Sequence, residues 1–135
     1  MHQLDFDTLH TYGTDKNGVE IPVTLRLGQN TVRFPARLDT GAAFCVFERG
    51  YAETLGLAVE TGTPLRFSTA IGSFDVYGHT LTLETLGYSF DVTVYFAAEQ
   101  SFTRNVLGRR GWLDQVRLGL VEYESKLYPS RYNEQ

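Results

Sequence analysis

The sequence predicts a single all-β domain with one or two short helices, and three observations support this. Its 135 residues match the usual length of one domain and suffice to bury a core without disulfides or metals. The 9 Phe and 8 Tyr residues favour strands over helices. Apolar residues recur at every second position through much of the chain, which is the period of a half-buried strand.

Composition and charge indicate which binding partners and which cellular compartment are expected for this protein. The formal net charge is −4 and the 12 basic residues are scattered, which argues against nucleic acid or an anionic membrane as a partner. No stretch approaches the roughly 18 apolar residues of a membrane span. The single cysteine, Cys45, cannot form an intrachain disulfide, and no secretory leader is visible, so we expect a cytoplasmic protein. Cys45 lies in an apolar run and is expected to be a buried structural thiol.

The sequence pattern of the first third of the chain predicts an N-terminal arm followed by a β-hairpin. Residues 1–18 form an N-terminal arm and a loop that ends in the turn signal Asn17-Gly18. Apolar residues alternate over residues 19–27 and again over residues 32–38, with turn-forming residues between the two runs. The second strand of this predicted hairpin leads directly into Asp39.

The middle of the chain predicts a short helix and three further strands. Residues 48–57 have the composition of a helix. Residues 64–69 and 74–86 read as two strands joined at residues 71–73, and residues 90–96 read as a third. The chain therefore continues as β structure after the helix.

The last third repeats the same order of elements. The apolar turn Val106-Leu107-Gly108 is followed by a predicted second helix at residues 109–115. Strands are predicted at residues 116–123 and 127–132, within a C-terminal tail that covers residues 117–135. A hairpin, a strand, a small-residue turn and a short helix thus occur twice, which favours two similar β units about a local two-fold axis.

The triplet Asp39-Thr40-Gly41 is the strongest candidate for chemistry. Three residues alone are weak evidence, but here an alternating apolar strand delivers the carboxylate of Asp39 to its end. Gly41 allows a close approach of the backbone to a substrate and to a second copy of the turn. The Thr40 hydroxyl can hold the turn by hydrogen bonds to a neighbouring chain, and Ala42 leaves the turn uncrowded.

Three elements in order make the chain resemble the retropepsin family, the single-domain aspartic proteases of retroviral type. The first is the apolar-Asp-Thr-Gly-Ala turn at residues 38–42. The second is the hairpin tip at residues 71–73, which is similar to the glycine-containing flap that closes over substrate. The third is the sequence at residues 106–109, which is similar to the loop that packs under the catalytic turn. The resemblance covers about residues 19–120.

The resemblance implies a closed or partly open β-barrel that acts as a homodimer. Because the chain contains one Asp-Thr-Gly, two copies must each supply one Asp39 across a two-fold axis. Two adjacent carboxylates share one proton and activate a water that attacks the peptide bond, most effectively at mildly acidic pH. No cofactor or metal is implied, and no metal-ligand spacing is present. The implied activity is that of an aspartic endopeptidase on peptide or protein substrates.

Site residues follow from the same resemblance. Asp39, Thr40 and Gly41 would be catalytic, while Gly108 and Arg109 would give structural support. Substrate contacts are expected from Ala42, Ala43, Phe44, Val46, Ile71, Gly72, Ser73, Val106 and Leu107. These largely apolar contacts predict a preference for bulky apolar side chains around the cut bond.

The chain also departs from the retroviral pattern. Ala43 and Phe44 stand where retroviral enzymes carry acidic residues, one of which pairs with the arginine equivalent to Arg109. Glu48, Asp114 or a contact across the dimer could replace that partner. The tyrosine-rich tail could join a dimer sheet, cover the cleft or pack on the outside of the barrel.

Two other functions stay open at this point. One is a catalytically silent member of the same fold that binds peptides or serves as a dimerisation module. The other is an unrelated β-barrel binding protein, although that reading leaves the flap-like tip and the Val106-Leu107-Gly108 loop unexplained.

Overall fold

A computed structural model describes residues 1–13 and 17–132. Residues 14–16 of the predicted loop and residues 133–135 of the predicted tail lie outside the described residues. The fold is all-β, as predicted, and the described strands form a seven-stranded and a three-stranded sheet. The strands are β1 (His10–Thr11), β2 (Glu20–Leu27), β3 (Asn30–Leu38), β4 (Val46–Phe47), β5 (Thr63–Thr69), β6 (Gly72–Thr85), β7 (Tyr88–Ala97), β8 (Val106–Leu107), β9 (Val116–Val121) and β10 (Lys126–Arg131).

The seven-stranded sheet closes on itself as a barrel. Its order is β2-β3-β8-β4-β7-β6-β5, and the long strand β6 also pairs with β2, with Leu25 opposite Leu83. The alternation seen in the sequence becomes alternating burial: Ile21, Val23 and Leu25 are fully buried and point into the core. Closure leaves few open strand edges in this part of the molecule.

Two short strands connect the halves of the barrel beneath the predicted catalytic turn. β8 runs parallel to the end of β3, with Leu107 beside Leu38, and antiparallel to β4, with Val106 beside Val46. Residues that are far apart in sequence are therefore brought together where β3 ends. This pairing fixes the backbone immediately before Asp39.

The first predicted helix is present and the second is wrong. The helix α1 (Arg49–Thr54) lies within residues 48–57. At residues 109–115 the chain forms only a 3-10 helix, Leu113–Gln115. Gly111 has φ of 106°, which lies in the left-handed region. Arg109 and Arg110 form backbone hydrogen bonds to residues at the end of the Asp39 turn and just after it. For both reasons a continuous helix cannot form here. The strand predicted at residues 116–123 ends at Val121, where the 3-10 helix Glu122–Glu124 begins.

The C-terminal strands pair with the N-terminal arm of the same chain. The second sheet has the order β1-β10-β9, and Asp7 ties the arm to it because its carboxylate accepts a hydrogen bond from Ser130 Oγ at 2.9 Å and another from Tyr88. Strand β10 thus pairs with the arm of its own chain on one side and with β9 on the other. Over the part of the chain described, no helix has the length and apolar character needed to cross a membrane.

Candidate active site

Asp39 stands at the end of β3, in a turn held by its own atoms. The backbone N–H of Gly41 donates to Asp39 Oδ1 at 2.9 Å, and the N–H of Ala42 donates to the Asp39 carbonyl at 3.2 Å. The N–H of Asp39 donates to the Leu107 carbonyl at 3.0 Å. One hydrogen bond therefore orients the carboxylate, two others fix the backbone of Asp39, and the residue remains partly exposed. The Thr40 side chain is exposed and forms no hydrogen bond with the residues described.

The loop after β8 supports this turn from below. Arg109 and Arg110 donate backbone hydrogen bonds to the carbonyls of Ala42 and Ala43, each at 2.9 Å. Gly108 lies so close to the turn that a Cβ placed on it would be 2.2 Å from the Phe44 carbonyl oxygen. Only a residue without a side chain allows this approach.

Cys45 lies in the core directly behind the turn. Its thiol accepts a hydrogen bond from the N–H of Gly108 at 3.4 Å, and burial raises the pKa of Cys45 to about 12. Because the thiolate is the nucleophilic form, this neutral thiol serves packing. The sequence prediction of a buried cysteine is confirmed.

A long hairpin of β5 and β6 extends beside the turn. Its two-residue tip, Ala70-Ile71, lies between the paired residues Thr69 and Gly72, and Ile71 is 81% exposed. Phe102 packs edge-on against Phe74, with ring centroids 5.0 Å apart, and thereby anchors the hairpin stem to the loop before β8. The predicted hairpin is thus present, but it turns at Ala70-Ile71 and not over residues 71–73, because Gly72 and Ser73 already pair in β6.

Two surface depressions meet at Asp39. Asp39, Arg104 and Val106 line both of them. The first, with a volume of about 520 Å³, lies between the turn and the hairpin. Its further lining includes Gly41, Ala42, Ala43, Phe44, Arg66, Phe67, Ser68, Thr69 and Ala70. The second, with a volume of about 280 Å³, is lined in addition by Glu20, Pro35, Ala36, Arg37, Thr103 and Asn105.

Several residues expected to contact substrate do not line these depressions. Val46 and Leu107 are fully buried, because β4 and β8 are inner strands, so their side chains support the wall from behind. Ile71 lies at the exposed tip and Gly72 and Ser73 begin β6, while the hairpin residues that line the first depression precede them. The expectation that Val46 and Leu107 line the cleft is corrected accordingly.

The sequence did not predict most of the strand, hairpin and loop residues that line the depressions, among them Arg37, Phe67 and Arg104. A signal was available for Arg37. It lies two positions before Asp39, and in an extended strand residues two apart face the same side. The alternation that placed Asp39 therefore also placed Arg37 beside it.

Arg109 has no acidic partner among the residues described. Glu48 is engaged by Asn105, whose Nδ2 donates to Glu48 Oε2 at 2.6 Å. Asp114 accepts a hydrogen bond from the N–H of Gly111 at 3.1 Å. The two intrachain replacements suggested for the missing acid are therefore not formed, and the side chain of Arg109 is exposed.

Comparison with known proteins identifies the family. A family model described as aspartyl protease matches residues 21–110, which is more than half of the chain and includes the turn, the hairpin and the loop after β8. The chain belongs to the aspartyl protease family. A retropepsin-like aspartic protease from Rickettsia conorii, known from its crystal structure, has a similar fold with a TM-score of 0.63. It is 16% identical, and the match covers 88% of this chain and 94% of that one.

The aspartyl protease match and the fold agree on which part of the chain forms the barrel. Residues 21–110 run from β2 to the end of the supporting loop, so the sheet of β1, β10 and β9 lies outside the matched segment. A comparison with curated proteins finds no match. In the part of the aspartyl protease domain that the structure describes, no group of three or more His, Cys, Asp or Glu side chains could hold a metal ion.

Proposed function

We propose that this aspartyl protease domain is an active aspartic endopeptidase. The observation that carries the proposal is the Asp39 carboxylate, which is oriented by the Gly41 N–H and lies where two depressions meet beside a hairpin. Family membership supports the same reaction class. Thr40 and Gly41 complete the catalytic turn in this proposal.

The reaction requires a second carboxylate, which a second copy of the chain would supply. Two Asp39 carboxylates about 3 Å apart cannot both ionise, so the pair holds one proton between them. The ionised member takes a proton from a bound water, which attacks the carbonyl carbon of the peptide bond. The protonated member donates to the carbonyl oxygen as charge develops on it. A pair that must hold one proton favours activity at mildly acidic pH.

Two surface features support the homodimer. Among the residues described, β9 pairs on one side only, with β10, and its exposed end carries Leu120 and Val121. A free strand edge with apolar side chains is suited to pairing with another chain. Arg109, exposed and without an acidic partner among the residues described, is also available to a second copy.

Mixing wild type with Asp39→Asn tests the shared site. If each site needs two Asp39 carboxylates, equal amounts that exchange subunits at constant total protein leave about one quarter of the wild-type activity. Independent monomer sites would leave about one half. Activity is read from peptide cleavage after equilibration, and a linear dependence on the wild-type fraction would rule out the shared site.

The preferred substrate is a peptide with bulky apolar side chains around the cut bond. Ala42, Phe44, Phe67 and Val106 give the first depression its apolar surface. We expect the protein to cleave an unstructured protein near pH 5, to be blocked by a statine-type inhibitor, and to cut beside large apolar residues, as mapped by mass spectrometry. Selection for charged residues at both flanking positions would contradict the apolar preference.

A catalytically silent peptide-binding or dimerisation module is the second candidate. Ala43 and Phe44, in place of acidic residues, and the unpaired Arg109 favour it. Binding of a statine-type inhibitor or a peptide without any cleavage would identify this function. The cytoplasmic location stays a prediction.

A further inference from the structure

Arg37 and Arg104 lie beside Asp39 and have no role in the proposed chemistry. Both side chains are exposed, and both line the second depression. Neither forms an ion pair with any residue in the described ranges. Arg66, on the hairpin, differs because its Nη1 lies 2.8 Å from Asp75 Oδ1, so its charge is compensated.

Two acidic residues, Glu20 and Asp39, also line the second depression, so its formal charges balance. Glu20 lies opposite Arg37 in the β2–β3 register, but the two side chains form no ion pair. Asp39 is committed to the proposed reaction. Both guanidinium groups are therefore left without an ion-pair partner among the residues described, beside the Asp39 carboxylate.

The backbone holds the two arginines in fixed relation. The N–H of Arg37 donates to the carbonyl of Asn105, the residue after Arg104, at 2.9 Å. Asn105 is fixed in turn because its Oδ1 accepts the N–H of Glu48 at 3.0 Å. The Arg37 side chain packs over Gly18, where a Cβ would be 2.8 Å from Nε. The Arg37 guanidinium, held in this way at both its backbone and its side chain, loses little freedom when it binds a ligand.

We propose that the second depression binds an acidic side chain of the substrate through Arg37 and Arg104. The inference rests on the proposed protease function and adds a substrate class to it. A guanidinium presents a planar fork of donors that matches a carboxylate. Because the two depressions meet at Asp39, an extended peptide across Asp39 can place an apolar side chain in the first and a carboxylate in the second.

Fluorogenic octapeptides in which each position in turn is Glu or Gln test the proposal. We expect at least one position at which Glu raises kcat/KM over the isosteric Gln by roughly tenfold at low salt. Arg37→Gln and Arg104→Gln should each bring this ratio toward one, and Arg104→Glu should favour Lys at that position. High salt should also weaken the preference, since exposed ion pairs are screened.

Arg33→Gln is the matched control, because Arg33 is also exposed on β3 but does not line either depression at Asp39. It should leave the Glu-to-Gln ratio unchanged, and an equal loss in this variant would overturn the proposal. Cleavage with a ratio near one at every position would overturn the acidic site and leave the protease function intact.

Absence of cleavage would instead count against the protease function. In that case, peptide binding tests whether the second depression recognises an acidic side chain. The same peptides, labelled for fluorescence anisotropy, would be titrated against wild type and Arg104→Gln. A preference for Glu that the substitution removes would support the acidic site. Equal binding of the Glu and Gln peptides, or no binding, would overturn it.

Discussion

Replacing Asp39 with Asn is expected to lower kcat/KM by at least about 10³-fold, since acid–base catalysis by the carboxylate pair is lost. An amide can neither take a proton from water nor share one with a second carboxylate. The fold should survive, because the Asn Oδ1 can still accept the Gly41 N–H that Asp39 accepts at 2.9 Å. Peptide cleavage at pH 5 measures the first effect, and thermal unfolding measures the second.

Asp91→Asn is the control for this substitution. Asp91 is exposed on β7, and its Oδ1 accepts a hydrogen bond from Thr82 Oγ1 at 2.8 Å, which an amide oxygen can also accept. The control removes the same charge and should retain wild-type activity. Cleavage that survives Asp39→Asn, in protein free of wild type, would exclude the proposed mechanism.

Local patterns predicted the barrel strands well because each has one buried face. Residues 19–27 and 32–38 alternate strictly in polarity, and the observed strands β2 and β3 match them closely. A one-residue shift would have turned Ile21 and its alternate neighbours toward solvent. The hairpin of β5 and β6 was also predicted, although its turn lies at Ala70-Ile71 and not at residues 71–73.

Features that depend on contacts between residues far apart in sequence could not be predicted from local sequence patterns. The helix predicted at residues 109–115 failed because Arg109 and Arg110 bond to the carbonyls of Ala42 and Ala43. Local composition does not encode that competition. Arg104 was missed for the same reason: it comes beside Arg37 only because β8 pairs in parallel with the end of β3.

In short apolar segments the sequence does not show which way each side chain faces. Val46 and Leu107 were expected in the cleft, while they lie fully buried behind it. A two-residue strand has too few positions to show which side chain faces the core. Phe44, two positions before Val46, and Val106, one position before Leu107, do line the first depression.

Replacing Gly108 with Ala is expected to destabilise the protein by about 3 kcal/mol and to abolish cleavage. The added methyl would lie 2.2 Å from the Phe44 carbonyl oxygen and 2.8 Å from that of Ala42. Both neighbours are backbone atoms, one at the end of the Asp39 turn and one just after it, so no side-chain rotation relieves the clash. The turn must shift, and the Asp39 carboxylate must shift with it. Chemical denaturation and peptide cleavage measure the two effects.

Gly50→Ala is the matched control, because Gly50 lies in α1 and a Cβ there meets no atom within 4 Å. Alanine in a helix is favoured over glycine by about 0.5–1 kcal/mol, so this variant should be slightly more stable and fully active. An added methyl group is thus expected to lower stability at Gly108 and to raise it slightly at Gly50. The difference between the two variants measures the effect of the close contact between Gly108 and the backbone of residues 42–44. A Gly108→Ala protein as stable and active as wild type would show that the loop after β8 does not support Asp39.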